Sequence, residues 1–326
     1  MPKSRKRPHS RGRRARKSVD PLALDRMFDK IVGYASGIEV PRVLYHYTGW
    51  EGAKGIISSQ QFWATAHHCT NDEAELVSAD SIIVEVAKEF RENALGATAK
   101  VLDLFVAEYP KKQIARMLTV CLACFSLARD DKSQWMRYGD NGNGICLGVR
   151  VIDEAPPEGS NGRLIIVDYS EASWRKTLRE EFGKVCSVLS RPGVLTTPLN
   201  CKLGVSALNR IAAFASISAK QSQWACEQEV RHATLVQHGS RVQLKERMSA
   251  GQVKQYLPVT VRADGKRIAF SEIIIGPNRS VEETREQLAR LLKEAGYKGG
   301  EEEYPEIRMS ALPCSDHSPA AKENGS

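Results

Sequence analysis

The chain has no run approaching the roughly 18 consecutive apolar residues of a membrane span, and no apolar segment follows its basic start as a secretory signal would require. It also lacks a Gly-x-Gly-x-x-Gly turn, a phosphate loop ending in Gly-Lys-Ser/Thr, a His-Glu-x-x-His pair and a Gly-x-Ser-x-Gly elbow. Those absences exclude the common dinucleotide, phosphate-loop, zinc-protease and serine-hydrolase sites. Eight cysteines are scattered over 326 residues without the density of a disulfide framework, which argues for a reducing compartment. The expectation is an intracellular, cytoplasmic protein. Cys121 and Cys124 have metal-type spacing, with His67, His68 and Cys69 as conceivable partners. Both lie in the apolar run 118–125, however, where reduced Cys behaves as a small hydrophobe. They are expected to be buried on opposite faces of a strand, with no metal bound.

Acidic residues are missing from the first nineteen positions. Lys3, Arg5, Lys6, Arg7, Arg11, Arg13, Arg14, Arg16 and Lys17 supply nine positive charges before Asp20, so the net charge of +8 leaves the remainder near −1. A segment this basic and this poor in apolar residues cannot offset its ordering entropy, so 1–19 is expected to be a disordered arm. Phosphate neutralisation makes nucleic acid its expected partner, through Arg5, Lys6, Arg7, Arg11, Arg13, Arg14, Arg16 and Lys17. A solubilising tail and an organelle transit peptide are the alternatives.

Beyond the arm, the chain has an ordinary apolar share and enough length to bury a core. Periodicity predicts a helix at 22–34, a strand at 42–47, a helix carrying Ala53, Ile56 and Ile57, and a strand at 61–65. Asn71-Asp72 reads as the cap of a helix whose face holds Leu76, Ala79, Ile83, Val86 and Phe90. Further helices are expected at 100–109, 133–138 (capped near Asp130 or Asp131), 174–189, 200–219 and 281–295. Further strands are expected at 118–126, 145–150, 164–168, 229–237, 241–245 and 268–275, with a turn at 238–240 joining two of them. Strands and helices come in runs without regular βαβ alternation, which argues α+β. No linker divides the body, so one domain is expected over 20–312, with a disordered tail at 313–326.

Three distant segments carry the candidate chemistry. Leu44-Tyr45-His46-Tyr47-Thr48 puts a His at the end of an apolar strand. Cys124-Phe125-Ser126 with Ser133-Gln134-Trp135 and Tyr138 offers hydroxyls and aromatic faces, and Trp224 with Glu227-Gln228-Glu229-Val230-Arg231 offers paired carboxylates. On a strand, Glu227 and Glu229 would share a face about 7 Å apart. The structural alternative is a surface Glu–Glu–Arg ion ladder; for Trp135 and Tyr138 it is simple core packing, and for His46 a hydrogen-bonded structural role.

With Asn71-Asp72, Glu75, Gly144 and Ile273-Ile274-Ile275-Gly276, these segments resemble the bacterial domain-of-unknown-function family numbered 2971 over roughly 42–280. Their order (His, an aromatic-rich Ser segment, Glu-x-Glu) is more loosely similar to the ADP-ribosyltransferases. That resemblance implies a mixed or antiparallel sheet core with packed helices and NAD as substrate. It implies His46 and Tyr47 at the ribose and nicotinamide amide, and Ser126, Ser133, Trp135 and Tyr138 around the nicotinamide. Glu229 would face the ribose cation, and Glu227 would orient an acceptor. Charge placed where the cation develops acts mainly in the transition state, so Glu229→Gln is expected to keep the fold and lose turnover. The acceptor would be nucleic acid, protein or water, in a setting such as phage defence or a toxin. Rival readings are a non-catalytic nucleotide- or nucleic-acid-binding module on the same fold, and RNA-processing chemistry on a terminal phosphate.

The role of the arm can be measured directly. Removing residues 1–18 should leave any NAD cleavage intact while weakening nucleic-acid binding and flattening its salt dependence by several units of slope. Fluorescence anisotropy across a salt series measures both, and equal slopes with and without the arm would show that the contact lies elsewhere.

Overall fold

The computed structural model describes residues 19–35, 41–70, 76–151, 162–237, 239, 241–249, 251–261, 267–299 and 304–313. The basic arm, Asn71-Asp72, Glu75 and most of the C-terminal tail lie outside them. The strands are β1 (Val43–Thr48), β2 (Phe62–Ala66), β3 (Leu118–Ser126), β4 (Ile145–Arg150), β5 (Gly162–Ile166), β6 (Glu229–Gln237), β7 (Lys245–Ser249), β8 (Gln252–Val259), β9 (Phe270–Ile275) and β10 (Glu306–Met309). The α-helices are α1 (Pro21–Ala35), α2 (Trp50–Ser59), α3 (Asp80–Asn93), α4 (Gly96–Lys112), α5 (Ile114–Met117), α6 (Lys132–Arg137), α7 (Glu171–Leu189), α8 (Pro198–Ser218) and α9 (Val281–Glu294).

All ten strands join one mixed sheet, in which β9 and β10 are parallel and the other pairs antiparallel. The class is therefore α+β. Helices α2 and α9 cover part of the sheet through Ile56, Ile57, Leu288 and Leu292. A second core gathers α1, α3, α4, α7 and α8 around Phe28, Phe105, Phe182 and Leu208. Ile217 and Phe214 of α8 meet Leu122, Ile165 and Ala233 of β3, β5 and β6 and so fasten this bundle to the sheet. Among the described residues, no helix is long and apolar enough to cross a membrane.

Strand β3 is central because it is paired along both edges. On one edge it runs the length of β6, from Leu118↔Gln237 to Ser126↔Glu229. On the other edge two strands share it: β2 pairs at Leu122 and Cys121, and β1 pairs only at Ser126. The two diverge, so residues 123–125 of β3 have no strand partner on that side and a fork opens in the sheet.

Several expectations need correction. The third helix begins at Asp80, not near Asn71, because Leu76 takes φ 68° and the chain turns through 76–79 first. Leu76 and Ala79 are buried all the same. No hairpin joins β6 to the next strand. Both edges of β6 are occupied by β3 and β5, so β7 pairs instead with β8, a strand the sequence reading missed, across a tight turn with Gly251 at φ 76°. Cys121 is buried, but Cys124 is exposed, since the odd spacing turns it to the other face of β3. Side chains on opposite faces of one strand cannot share an ion, and among the described residues no three His, Cys, Asp or Glu side chains form a metal cluster.

The turn from α6 into β4 is built by close backbone approach. Gly144 donates to the Gly139 carbonyl at 2.8 Å, and Gly276, beyond β9, donates to Gly144 at 3.0 Å. A Cβ on Gly276 would fall inside the contact distance of the Gly142 carbonyl. Gly276→Ala should therefore cost about 1–3 kcal/mol, measured by urea unfolding, whereas Gly299→Ala, which meets nothing within 4 Å, should be nearly silent.

Candidate functional site

A cleft of about 430 Å³ opens at the fork, and its lining includes His46, Trp63, Cys124, Ser126, Gln134, Arg137, Tyr138, Lys220, Trp224, Glu227, Glu229 and Arg247. The register places Tyr45 opposite Ser126 and Ser126 opposite Glu229. The first and third motifs thus lie about two strand spacings, roughly 10 Å, apart.

His46 fills the gap left by the diverging strands. Its ring packs against Phe62 of β2 and Phe125 of β3, with centroids 5.3 and 5.6 Å away. Nδ1 donates to the Cys124 carbonyl at 2.8 Å, a group in the stretch of β3 without a strand partner on that edge. That bond fixes the tautomer, leaving Nε2 as an acceptor. Burial lowers the pKa of His46 and the nearby Arg247 charge lowers it further, against the opposing effect of the Cys124 carbonyl. The imidazole is therefore neutral at pH 7.

The two glutamates are not strand neighbours as expected. Glu227 ends a 3-10 turn (Ser222–Glu227), and Gln228 at φ 44° reverses the chain into Glu229, the first residue of β6. Both carboxylates nevertheless converge, and on a cation the sequence reading missed. Lys220 Nζ donates to Glu227 Oε2 at 2.5 Å and to Glu229 Oε2 at 2.9 Å. Lys220 is delivered by the end of α8, where the Asp168 amide donates to Ser218 and the Lys220 amide to Asp168. Arg231 completes the set with bonds of 3.0 and 3.2 Å to the two Glu229 oxygens. The relative exposures of Lys220, Glu227, Glu229 and Arg231 are 5, 3, 4 and 0%, which rules out a surface ladder.

Glu227 has a second environment. Its Oε1 accepts from the Tyr138 hydroxyl at 2.6 Å and from Arg137 at 3.5 Å, while Ser126 and Gln134 donate to its backbone carbonyl. Tyr138 is 41% exposed, so its short bond links Glu227 to the open cleft. Burial and the adjoining Glu227 carboxylate push its hydroxyl pKa well up, keeping it a donor. Arg137 lies 4.8 Å from the Trp224 ring centroid and Lys220 5.4 Å.

The middle motif divides. Asp131 caps α6 by accepting from the Ser133 and Gln134 amides and also holds the Ser133 hydroxyl. Trp135 is 1% exposed, packs edge-on against Tyr47 and donates from Nε1 to Asp130. The Tyr47 hydroxyl donates to the Ala128 carbonyl and accepts from the Asp131 amide. Ser133, Trp135 and Tyr47 therefore anchor the α6 loop, while Tyr138, Trp224 and Trp63 present aromatic faces to the cleft. The Ser126 hydroxyl lines the cleft but is already engaged by Glu227 and the Ala128 amide.

Burial raises the pKa of Glu229, but the charges of Arg231 and Lys220 outweigh it and bring it down to about 2 from an ordinary 4.5. A carboxyl depressed in the folded state stabilises above its unfolded pKa and loses that contribution as pH falls through the folded value, here between about 4.5 and 2. The expectation that Glu229→Gln spares the fold is therefore revised. The substitution leaves Arg231, with no exposure at all, short of its counter-charge and should cost about 3 kcal/mol at pH 7. Urea unfolding should show the gap from wild type narrowing between pH 4.5 and 2; a constant gap would mean that the charge is not what matters.

Family models, curated proteins and solved structures were each compared with the chain, and none matches it.

Proposed function

We propose that this chain has an ADP-ribosyltransferase-like fold and cleaves the nicotinamide glycosidic bond of NAD, passing ADP-ribose to a nucleic-acid or protein acceptor or to water. The observation that supports it is the convergence of His46, Tyr138, Glu227 and Glu229, from three distant segments, on one aromatic-walled cleft. Neutral His46 would accept a ribose hydroxyl at Nε2. Trp224 would supply the flat surface for a ring of the ligand, the part first assigned to Trp135.

The two carboxylates exchange roles relative to the sequence expectation. Both Glu229 oxygens are held by Arg231 and Lys220, so Glu229 serves to fix Lys220. Glu227, whose Oε1 faces the cleft through Tyr138, is the carboxylate that faces the ribose cation. Leaving nicotinamide takes the bonding electron pair of the glycosidic bond, and the ribose carbon then bonds to the acceptor oxygen or nitrogen, whose proton passes to Glu227 directly or by way of Tyr138.

A second reading, a nucleotide-binding module without turnover, draws on Lys220. By neutralising part of the negative charge of the pair, it weakens the field available to a developing cation.

Incubating the protein with NAD and following free nicotinamide by chromatography tests both. Wild type should release nicotinamide, Glu227→Gln should lower the rate by about 10²–10³, and Tyr138→Phe should lower it less. Saturable NAD binding without release would favour the binding module. Neither binding nor release would end the NAD reading.

A further inference from the structure

The buried cations at the cleft have counter-ions. Lys220 has two carboxylates and Arg231 has Glu229. Arg247, half-buried in the cleft wall, has none: among the described residues no carboxylate lies within ion-pairing distance of it. Its Nε is buried without a hydrogen-bond partner, and its one hydrogen bond is a long 3.5 Å contact from Nη2 to the Thr65 hydroxyl.

The guanidinium is held in place by aromatic rings, with its carbon 5.1 Å from the Trp63 centroid and 5.9 Å from that of Tyr256. Directly opposite it across β7 and β8 stands Lys254, which also lines the cleft. Like charges in facing positions disfavour the strand pair that carries them, and taking a guanidinium out of water without an acceptor is costly. Arg247 and His46 line the same cleft, and the field of Arg247 reaches His46. A positioned, desolvated and unanswered cation facing a cavity is what an anionic ligand group requires.

We propose that Arg247, with Lys254 beside it, is the phosphate subsite of the cleft and binds the pyrophosphate of a small nucleoside-diphosphate ligand such as NAD or ADP-ribose. The assignment rests on the cleft being a nucleotide site, as proposed above, but not on any turnover there. The guanidinium offers Nε and the Nη groups to phosphate oxygens, while Trp63 keeps its plane fixed. The two rows of charge then divide the work, with Arg247 and Lys254 on the β7–β8 side taking the phosphates, and Glu227 with Tyr138 on the β3–β6 side taking the ribose.

The experiment is calorimetric titration of the full chain at low salt with ADP-ribose, inorganic pyrophosphate and adenosine, for wild type, Arg247→Met and Arg247→Lys. Methionine keeps an apolar stem on Trp63 and removes the charge. It should weaken ADP-ribose and pyrophosphate by about 10- to 100-fold and leave adenosine unchanged. Lysine keeps the charge without the forked donors and should fall between. Because the free protein carries an uncompensated cation, Arg247→Met should melt at the same temperature as unliganded wild type or higher.

Unchanged ADP-ribose affinity in Arg247→Met would overturn the proposal. So would a melting temperature lowered by several degrees and restored by lysine, with ADP-ribose binding equal in wild type and Arg247→Lys, since Arg247 would then be a structural clamp. A 5′-phosphorylated oligonucleotide displacing ADP-ribose at a tenth of its concentration would place a polynucleotide in the subsite and overturn the small-ligand assignment. ADP-ribose has no nicotinamide to lose, so Arg247-dependent binding without NAD cleavage would sink the catalytic reading alone. NAD cleavage with full affinity in Arg247→Met would sink this one alone.

Discussion

Four charges almost wholly removed from water hold the site together: Lys220 between Glu227 and Glu229, and Arg231 behind Glu229. Ions in such surroundings are tolerable only when each is paired and its remaining bonding capacity is met. The surrounding structure meets that demand closely. The Ile217 carbonyl takes Arg231 Nη1, Tyr138 and Arg137 take the second Glu227 oxygen, and the Tyr169 hydroxyl accepts from the Glu229 amide. Because these groups come from α6, the end of α8, the 3-10 turn and β6, the positions of those elements are set by one electrostatic requirement. The left-handed Gln228 and the tie between Asp168 and Ser218 are local devices that satisfy it.

The fork in the sheet is the second constraint, and it explains why a histidine stands where strand alternation alone would suit an apolar residue. Where β1 and β2 part, β3 loses its neighbour on one edge, and a carbonyl there needs a donor. His46 provides one through Nδ1 while its ring seals the gap against Phe62 and Phe125. The structural and chemical readings of this residue are thus not rivals. Engaging one nitrogen with the backbone is what orients the other toward the cleft.

Much of the fold was legible in the sequence because its signals are local. β4 and β6 end where their apolar patterns end, and Asp131 caps α6 as its side-chain chemistry requires. What escaped depended on distant partners. Lys220 is a single cation after an apolar helix, and nothing near it in the chain announces two carboxylates. Arg247 sits in a strand of mixed polar residues whose partner, β8, was itself unseen, since β7 and β8 lie at the edge of the sheet and carry exposed side chains such as Met248 and Val253. Trp135 and Trp224 look alike in sequence, yet one is core and the other borders the cleft, a difference that only the packing of Tyr47 and Asp130 decides.

The double pairing of β3 has a bearing on how the molecule comes into being. One of its edges takes strands already synthesised, while the other waits for β6, and Ser126 meets Glu227 at a sequence separation of 101 residues. Contacts of such separation form late, after the loop between them has been closed at an entropic cost. A ribosome that has made β1 to β5 and most of α8 has therefore made neither Lys220 nor either glutamate, and the half-grown chain exposes one bare edge of its central strand. The charges Lys220, Glu227, Glu229, Arg231 and Arg247 thus all arrive with the last third of the chain, long after His46 and Tyr138.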